Sequence, residues 1–353
     1  MDIADLVDPG SSGLVVAAKK LVDTARQLRD EHGFSGVLIL DPQAYTEYWA
    51  TPDQPFRELP DRLFGGSTAE QIQEQIDAGA DAAMTPTGCI RAGDAASLRA
   101  ALEQATALER EDVIVTVPLE AGWLQGGKAD IAVDMLSRVD LPKAVLIAAQ
   151  FNPPEQVTPA HESVLNERRL AAEPSATALF RRDLAALDAV AHGALAGSVG
   201  TSGDLRHIIP PGQKRFFKPP RKGEPPDQSP NILVPDLRAY LRGSTIAERF
   251  REAAAPACSC AVCGGRRLST FSGRADWTAA RRHDVTTWSE WLPNIAGQQA
   301  PTDRAQYWTG LCRHGIANHE VYDNLAGRPG TFRPPLPLTI WSRPGTATVP
   351  HRP

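Results

Sequence analysis

Short, continuously apolar runs recur along this chain, and a helical pattern separates nearly every one from the next. In order they are GVLILD (36–41), DAAMTPTG (81–88), DVIVTVPLE (112–120), KAVLIAAQF (143–151), TALFRRD (177–183), GALAGSVGTSGDL (193–205) and NILVPD (231–236). Runs without polar alternation suit strands buried on both faces, the condition of a parallel sheet. Between them, Thr68 to Ala78 carries a Ser67 or Thr68 N-cap and a terminal Gly79. Asp94 to Glu109 and Leu184 to Ala191 also have helical spacing, and weaker helical stretches cover Ala129 to Ser137 and part of Ser163 to Ala172. Ahead of the first run, Leu14 to Arg29 places Val15, Leu21, Ala25 and Leu28 as a helix would, with Gly33 as its stop. Gly13 to Ala18 is also a candidate for an eighth strand. Alternation of this length predicts an α/β fold, either a (β/α)8 TIM-like barrel or a doubly wound sheet, and the barrel is the expected one. Its support is that polar residues gather where the runs stop: Asp41, Thr85, Thr87, Glu120, Gln150, Arg182, Asp183, Ser202 and Asp236. In a barrel such positions ring one mouth, where active sites form; taken singly, each also fits ordinary loop chemistry.

The second constraint is a cluster of thiols. Three of the five cysteines, Cys258, Cys260 and Cys263, fall within six positions, and His283 follows. Thiolates this close, with an imidazole brought back by a short excursion, can complete a tetrahedral site that suits Zn(II). Buried or reactive thiols and a redox pair are the competing readings, but a C-x-x-C pair leaves Cys258 unexplained. His314 and Cys312 compete with His283 for the fourth position. Four protein ligands leave no open position for water, so the expected zinc is structural. Trp277, Trp288 and Trp291 are expected to form the small core around it. Upstream, LRAYLRGSTIAERFREAA (237–254) reads as a helix broken near Gly243 and recapped by Ser244 or Thr245. Downstream, a helix is expected from Thr302 to about Leu325, then an extended tail pinned by Tyr322, Phe332 and Trp341. The expected organisation is a barrel over 1–243, a zinc-binding helical subdomain over 244–326 after the last strand, and a Pro-rich tail over 327–353.

Charge is nearly balanced, at a formal net −5 over 353 residues, so any basic surface must be local. One local run exists. The Pro-rich loop 210–230 carries Lys214, Arg215, Lys218, Arg221 and Lys222 around Phe216 and Phe217. Cations with aromatic rings are what phosphates and unstacked bases require, while a solvated, proline-stiffened linker is the plain alternative. The N-terminus lacks a basic and apolar leader, and no stretch approaches the roughly 18 apolar residues of a membrane span. A cytoplasmic protein without a membrane partner is the expectation, and a reducing compartment suits thiolates kept for metal.

A barrel carrying C-x-C-x-x-C and a later His after its last strand resembles the tRNA-guanine transglycosylase superfamily, including its DNA-modifying relatives. GSVGTSGDL (197–205) resembles that family's late-barrel stretch of the form GVGTPEDL. The resemblance implies exchange of a guanine base for a 7-deazaguanine in tRNA or DNA, with nucleic acid and a free base as partners. It implies Asp236 as the nucleophile at the ribose C1′ and Asp41, in LILDPQAY, as acid and base, both by position at strand ends. Gln150 in AVLIAAQF matches the base-reading glutamine, with Arg182, Asp183, Thr85 and Ser202 as further substrate contacts. The chain departs from the pattern in lacking the DSGGFQ element and the GGLAVGE loop, and only ILVPDL stands for the nucleophile segment. Two other function classes are therefore carried. One is a catalytically silent zinc-containing barrel subunit that binds nucleic acid or partners an active transglycosylase, which leaves room for a homodimer or heterodimer. The other is an unrelated barrel enzyme for a small nucleoside or phosphorylated substrate, using GTSGD as an anion-binding turn.

Overall fold

The computed structural model describes residues 2–18, 20–57, 67–174, 176–214 and 226–343. Seven strands form one sheet: β1 (Gly13–Val16), β2 (Val37–Leu40), β3 (Ala82–Met84), β4 (Val113–Glu120), β5 (Lys143–Ala148), β6 (Thr177–Arg182) and β7 (Ala196–Val199). Every neighbouring pair is parallel, and spatial order equals sequence order from β1 to β7. A doubly wound sheet would reverse its order partway. Unbroken order with a helical crossover on one side is the winding of a TIM-like barrel, here nearly closed. The connecting helices are α1 (Leu21–Arg26), α2 (Thr68–Asp77), α3 (Ala95–Thr106), α4 (Lys128–Ser137), α5 (Pro153–Gln156), α6 (Ala160–Ala172), α7 (Ala185–Ala191) and α8 (Gly203–Arg206).

Local sequence explains these elements. Ser67 closes a capping box with Glu70 at the start of α2, and Asp94 caps α3 by accepting from the Ser97 amide. Along β5 the alternation divides two cores. Ala144, Leu146 and Ala148 pack with Met84, Ala178 and Phe180, whereas Val145 and Ile147 pack with Leu102, Leu136 and Leu170 from α3, α4 and α6. The first group fills the barrel and the second cements the helical layer. After β7, Gly200 is required by a close approach: a Cβ there would lie 2.2 Å from the Leu205 carbonyl carbon.

The chain divides into two compact units, Met1–Phe217 and Lys218–Pro353. The second contains β8 (Asn231–Val234), β9 (Ala239–Arg242), α9 (Gly243–Arg249), α10 (Trp277–Ala296), α11 (Pro301–Ala326) and α12 (Leu336–Trp341). Two expectations change here. NILVPD does not supply a parallel barrel strand: β8 pairs antiparallel with β9 in a hairpin turned by Pro235–Leu237 and by Arg238 at φ +50°. Of the stretch 237–242, expected as helix, Leu237 and Arg238 belong to the turn and Ala239–Arg242 is the returning strand. The seventh parallel strand is Gly13–Val16, within the candidate strand Gly13 to Ala18, so the helix expected from Leu14 begins only at Leu21. In the tail, Phe332 packs on Phe250 and Tyr322 as expected. Trp341 stacks near Trp308 from a short helix, α12, rather than from extended chain.

Candidate metal centre and barrel mouth

The second unit is built around Cys258, Cys260, Cys263 and His283, whose ligand atoms all lie within 4.8 Å of one another. No other such cluster of His, Cys, Asp or Glu occurs among the described residues. The three sulfurs are presented by a tight knuckle. The amide of Cys258 donates to the Arg266 carbonyl, that of Gly265 to Cys258, and those of Cys263 and Gly264 to Cys260. Gly264 and Gly265, at φ +54° and +90°, turn the chain back where a side chain would strain it. Amides of Cys260 and Cys263 also point at the sulfurs of Cys258 and Cys260, which favours thiolate. The imidazole comes from α10, and its Nδ1 lies 3.4 Å from each of the three sulfurs. A tetrahedral ion with metal–sulfur bonds of about 2.3 Å and metal–nitrogen bonds of about 2.0 Å sets sulfur and nitrogen about 3.5 Å apart. The quartet is therefore positioned to bind a metal ion through Nδ1. Burial pushes the Cys258 and Cys263 thiols upward, and the neighbouring Cys260 and then Cys258 add to this for Cys263. Three crowded thiolates become tolerable once a cation sits among them.

The other imidazole nitrogen is also engaged. Nε2 of His283 lies 2.7 Å from the carbonyl oxygen of Leu233, and the next residue, Asp284, accepts from the Leu233 amide at 2.8 Å. Leu233 sits opposite Tyr240 in the hairpin. Two adjacent side chains of α10 thus take both backbone groups of one β8 residue, and this fixes the ring tautomer that leaves Nδ1 for metal. His314, the competitor for the fourth position, is exposed on α11, and Cys312 is buried on that helix; neither joins the cluster. The surrounding core is Phe250, Phe271, Leu268, Ile232, Tyr322 and Phe332. The tryptophans expected there serve elsewhere: Trp277 is half exposed and donates to Gln228, and Trp288 donates to the Tyr240 hydroxyl.

Asp236 lies at the hairpin turn, exposed, with its Oδ2 accepting from the Tyr322 hydroxyl at 2.9 Å. Asn318 of α11 donates to its carbonyl. It does not end a barrel strand, which removes the positional ground for the nucleophile role.

In the first unit the strand ends form a polar mouth, but only part of the expected ring takes part. Asp41, just past β2, is wholly buried; its Oδ2 accepts from the Tyr45 hydroxyl at 2.5 Å and its Oδ1 from the Gln43 amide at 2.9 Å. Burial pushes its carboxyl above the usual carboxylate range, against the pull of Arg181, whose Nη1 is 4.0 Å away. Thr85 and Thr87 bond each other, and Thr85 accepts two hydrogen bonds from Thr116 of β4, so they stitch strands. Glu120 accepts from the Ala92 amide, and Asp183 accepts from the Ala185 amide at the start of α7. Ser202 precedes α8 and its carbonyl takes the Leu205 and Arg206 amides. Arg182 faces away from the mouth, its Nε 2.6 Å from Glu167 of α6.

The reason Arg182 is turned is a bulge. The β6–β7 register shifts between Leu179 and Arg182, and Arg181 adopts φ +54°. Inward alternation through Ala178 and Phe180 would have brought Arg182 into the barrel; the bulge brings Arg181 instead. Arg181, Tyr45 and Gln43 are the mouth residues that sequence reasoning did not select. Gln150 is also placed differently: its Nε2 donates to the carbonyl of Lys214. Over the mouth runs the strap from His207 to Lys214. Ile208 is buried among Tyr45, Met84, Cys89, Leu146 and Phe180, its carbonyl accepts the Ala149 amide, and Trp49 donates to Pro211. Of the expected basic run, Lys214 is exposed, while Arg215, Lys218, Arg221 and Lys222 lie outside the described residues.

No family model matches the chain, and no curated protein matches it at a significant level. The class is defined by fold and site alone: an α/β barrel protein with a Cys3His metal centre in its second unit. Among the described residues no helix is long and apolar enough to cross a membrane.

Proposed function

We propose that this protein is a base-exchanging transglycosylase of the barrel type, replacing a guanine by a 7-deazaguanine in tRNA or DNA. The observation that carries the reading is one chain holding both a sequentially wound parallel barrel and, C-terminal to it, a C-x-C-x-x-C and His quartet. The ion is zinc, because three thiolates and one imidazole at tetrahedral spacing are the donor set it favours. Its four protein ligands make it a brace for the second unit, and no step of the reaction passes through it. Thiolates kept as ligands fit the reducing cytoplasm.

Displacing a base at an anomeric carbon needs a carboxylate for the oxocarbenium-like centre and a proton-transfer group for the base. Asp41 takes the proton-transfer role, since its buried carboxyl is held above the usual range at a barrel mouth. Asp236 is the nucleophile candidate carried by the resemblance alone; its exposed carboxylate accepts from the Tyr322 hydroxyl. A second reading, a silent subunit that binds nucleic acid or partners an active enzyme, is favoured by two observations. Tyr322 uses Asp236 to fasten a turn, and Ile208 seals the barrel interior beside Tyr45.

One assay separates them. The full chain is incubated with labelled guanine or 7-deazaguanine and with bulk tRNA or duplex DNA. Incorporation that Asp41→Asn and Asp236→Asn each abolish, at unchanged zinc content, supports the enzyme with both roles. Survival of incorporation in Asp236→Asn removes that residue as nucleophile. No incorporation into either nucleic acid sinks the enzymatic reading. The silent subunit then requires nucleic-acid binding that weakens with salt and on neutralising Lys214, Arg215, Lys218, Arg221 and Lys222.

A further inference from the structure

Arg181 occupies a conformation that the strand does not need for its own sake. A non-glycine residue at φ +54° within β6 is sterically unfavourable, and such strain persists where the surrounding contacts over-determine it. What it achieves is the direction of the guanidinium. Nη1 donates to the Tyr45 hydroxyl at 2.8 Å and to Gln43 Oε1 at 2.9 Å, and Nη2 donates to the Asp204 carbonyl at 2.7 Å. Nε, also buried, has no hydrogen-bond partner among the described residues. Gln43 is itself left-handed, at φ +56°. The two residues that Arg181 grips are the two that hold the oxygens of Asp41: the Tyr45 hydroxyl bonds both, while Gln43 accepts from Arg181 with its side chain and donates to Asp41 with its backbone amide. Two strained residues from separate strand ends therefore converge on one buried carboxyl.

We propose that Arg181 is a positioning residue for Asp41, fixing the direction and the charge of its carboxyl through the Tyr45 hydroxyl and the Gln43 side chain without touching substrate. The proposal rests on the proton-transfer role given to Asp41 above. The charged and titratable groups acting on that carboxyl are Arg181 from β6 and Tyr45 from its own loop. Burial disfavours the carboxylate, and the guanidinium opposes burial. Removing the guanidinium leaves only the Tyr45 hydroxyl and the Gln43 amide to oppose burial, so the proton is held to higher pH. Arg181→Lys retains a charge but cannot reach the hydroxyl and the carboxamide with one planar fork.

The experiment is a carboxyl ¹³C NMR titration of the full metal-loaded chain, with the Asp41 signal assigned by its loss in Asp41→Asn. Arg181→Met is expected to raise the Asp41 midpoint by about one pH unit or more. Arg181→Lys is expected to fall between it and the parent, and Tyr45→Phe to rise by less than Arg181→Met. An unmoved midpoint in folded Arg181→Met overturns the proposal. Should that variant fail to fold, unmoved midpoints in both Arg181→Lys and Tyr45→Phe overturn it equally. The titration needs no turnover, so a chain that incorporates no base refutes the enzymatic reading and leaves this measurement intact. In a chain that does incorporate base, Arg181→Met is expected to lower kcat with KM unchanged and to shift the pH–rate limb with the NMR midpoint.

Discussion

The two polar centres of this molecule are satisfied by different means. At the barrel mouth both carboxyl oxygens of Asp41 are met by a donor from the protein, and its counter-charge is a side chain. At the metal centre the protein supplies three crowded sulfurs and an imidazole, positioned to share a metal ion. The first centre is complete within its unit's fold. The second makes its unit conditional, because the hairpin carbonyl that orients His283 and the small aromatic core are organised around the ligands. A large core of strands and helices can carry buried charge as a local cost; a small one borrows its stability from an ion.

The sharpest way to break that comparison is to remove the metal. Chelation, or Cys260→Ser, is expected to unfold the second unit, since structural zinc sites contribute about 10–16 kcal/mol of apparent folding free energy. The barrel should keep its protected amides, read unit by unit in hydrogen exchange with metal content measured alongside. Simultaneous loss of protection in β4 and β5 would erase the contrast.

A smaller effect is expected at the strap. Ile208→Ala should cost about 2 kcal/mol or more locally, as buried isoleucine truncations do. Alkylation of Cys89, which lies in the same cluster, should then accelerate more than tenfold by peptide mapping, and the Ala149 amide that bonds Ile208 should exchange faster. Unchanged Cys89 labelling would mean that the interior opens by another route.

The smallest effect concerns pH. Burial holds the Asp41 carboxyl above its usual value, so the folded chain binds that proton more tightly than the unfolded one. Its contribution to stability is full below the unfolded carboxyl value of about 3.9 and is lost as pH rises through the folded value. Asp41→Asn should therefore gain on the parent in stability, read as Tm, as pH rises from about 4 to about 7. The gain is about 1.4 kcal/mol for each pH unit that separates the folded value from the unfolded one. A difference in Tm that does not vary with pH would show that the carboxyl does not titrate in that window.

Much of the barrel was legible because buried parallel strands leave continuous apolar runs, and six of the seven expected runs became β2 to β7. The metal quartet was legible because ligand spacing is local, and the structure favours His283 over His314. What escaped was set by backbone geometry without a residue signature. The first strand, GLVV, was legible only as a candidate within Gly13 to Ala18, because its apolar residues also fit a helical period. The hairpin hides in NILVPDLRAYLR because apolar content alone does not say whether a partner runs parallel. Arg181 and Arg182 are identical in type, and only a bulge at a non-glycine residue decides which faces the mouth.

Leu233 carries one more consequence. Since His283 holds its carbonyl and Asp284 its amide, ion affinity and hairpin order are thermodynamically coupled, and coupling of this kind is reciprocal. Whatever steadies the hairpin tightens the hold on the ion, and whatever loosens the ion slackens the hairpin. Asp236 rides at the tip of that hairpin. A molecule that bound there and steadied the turn would be felt at the cysteines as a change in metal affinity, which makes an ion at that centre a reporter of events at a turn that it does not touch.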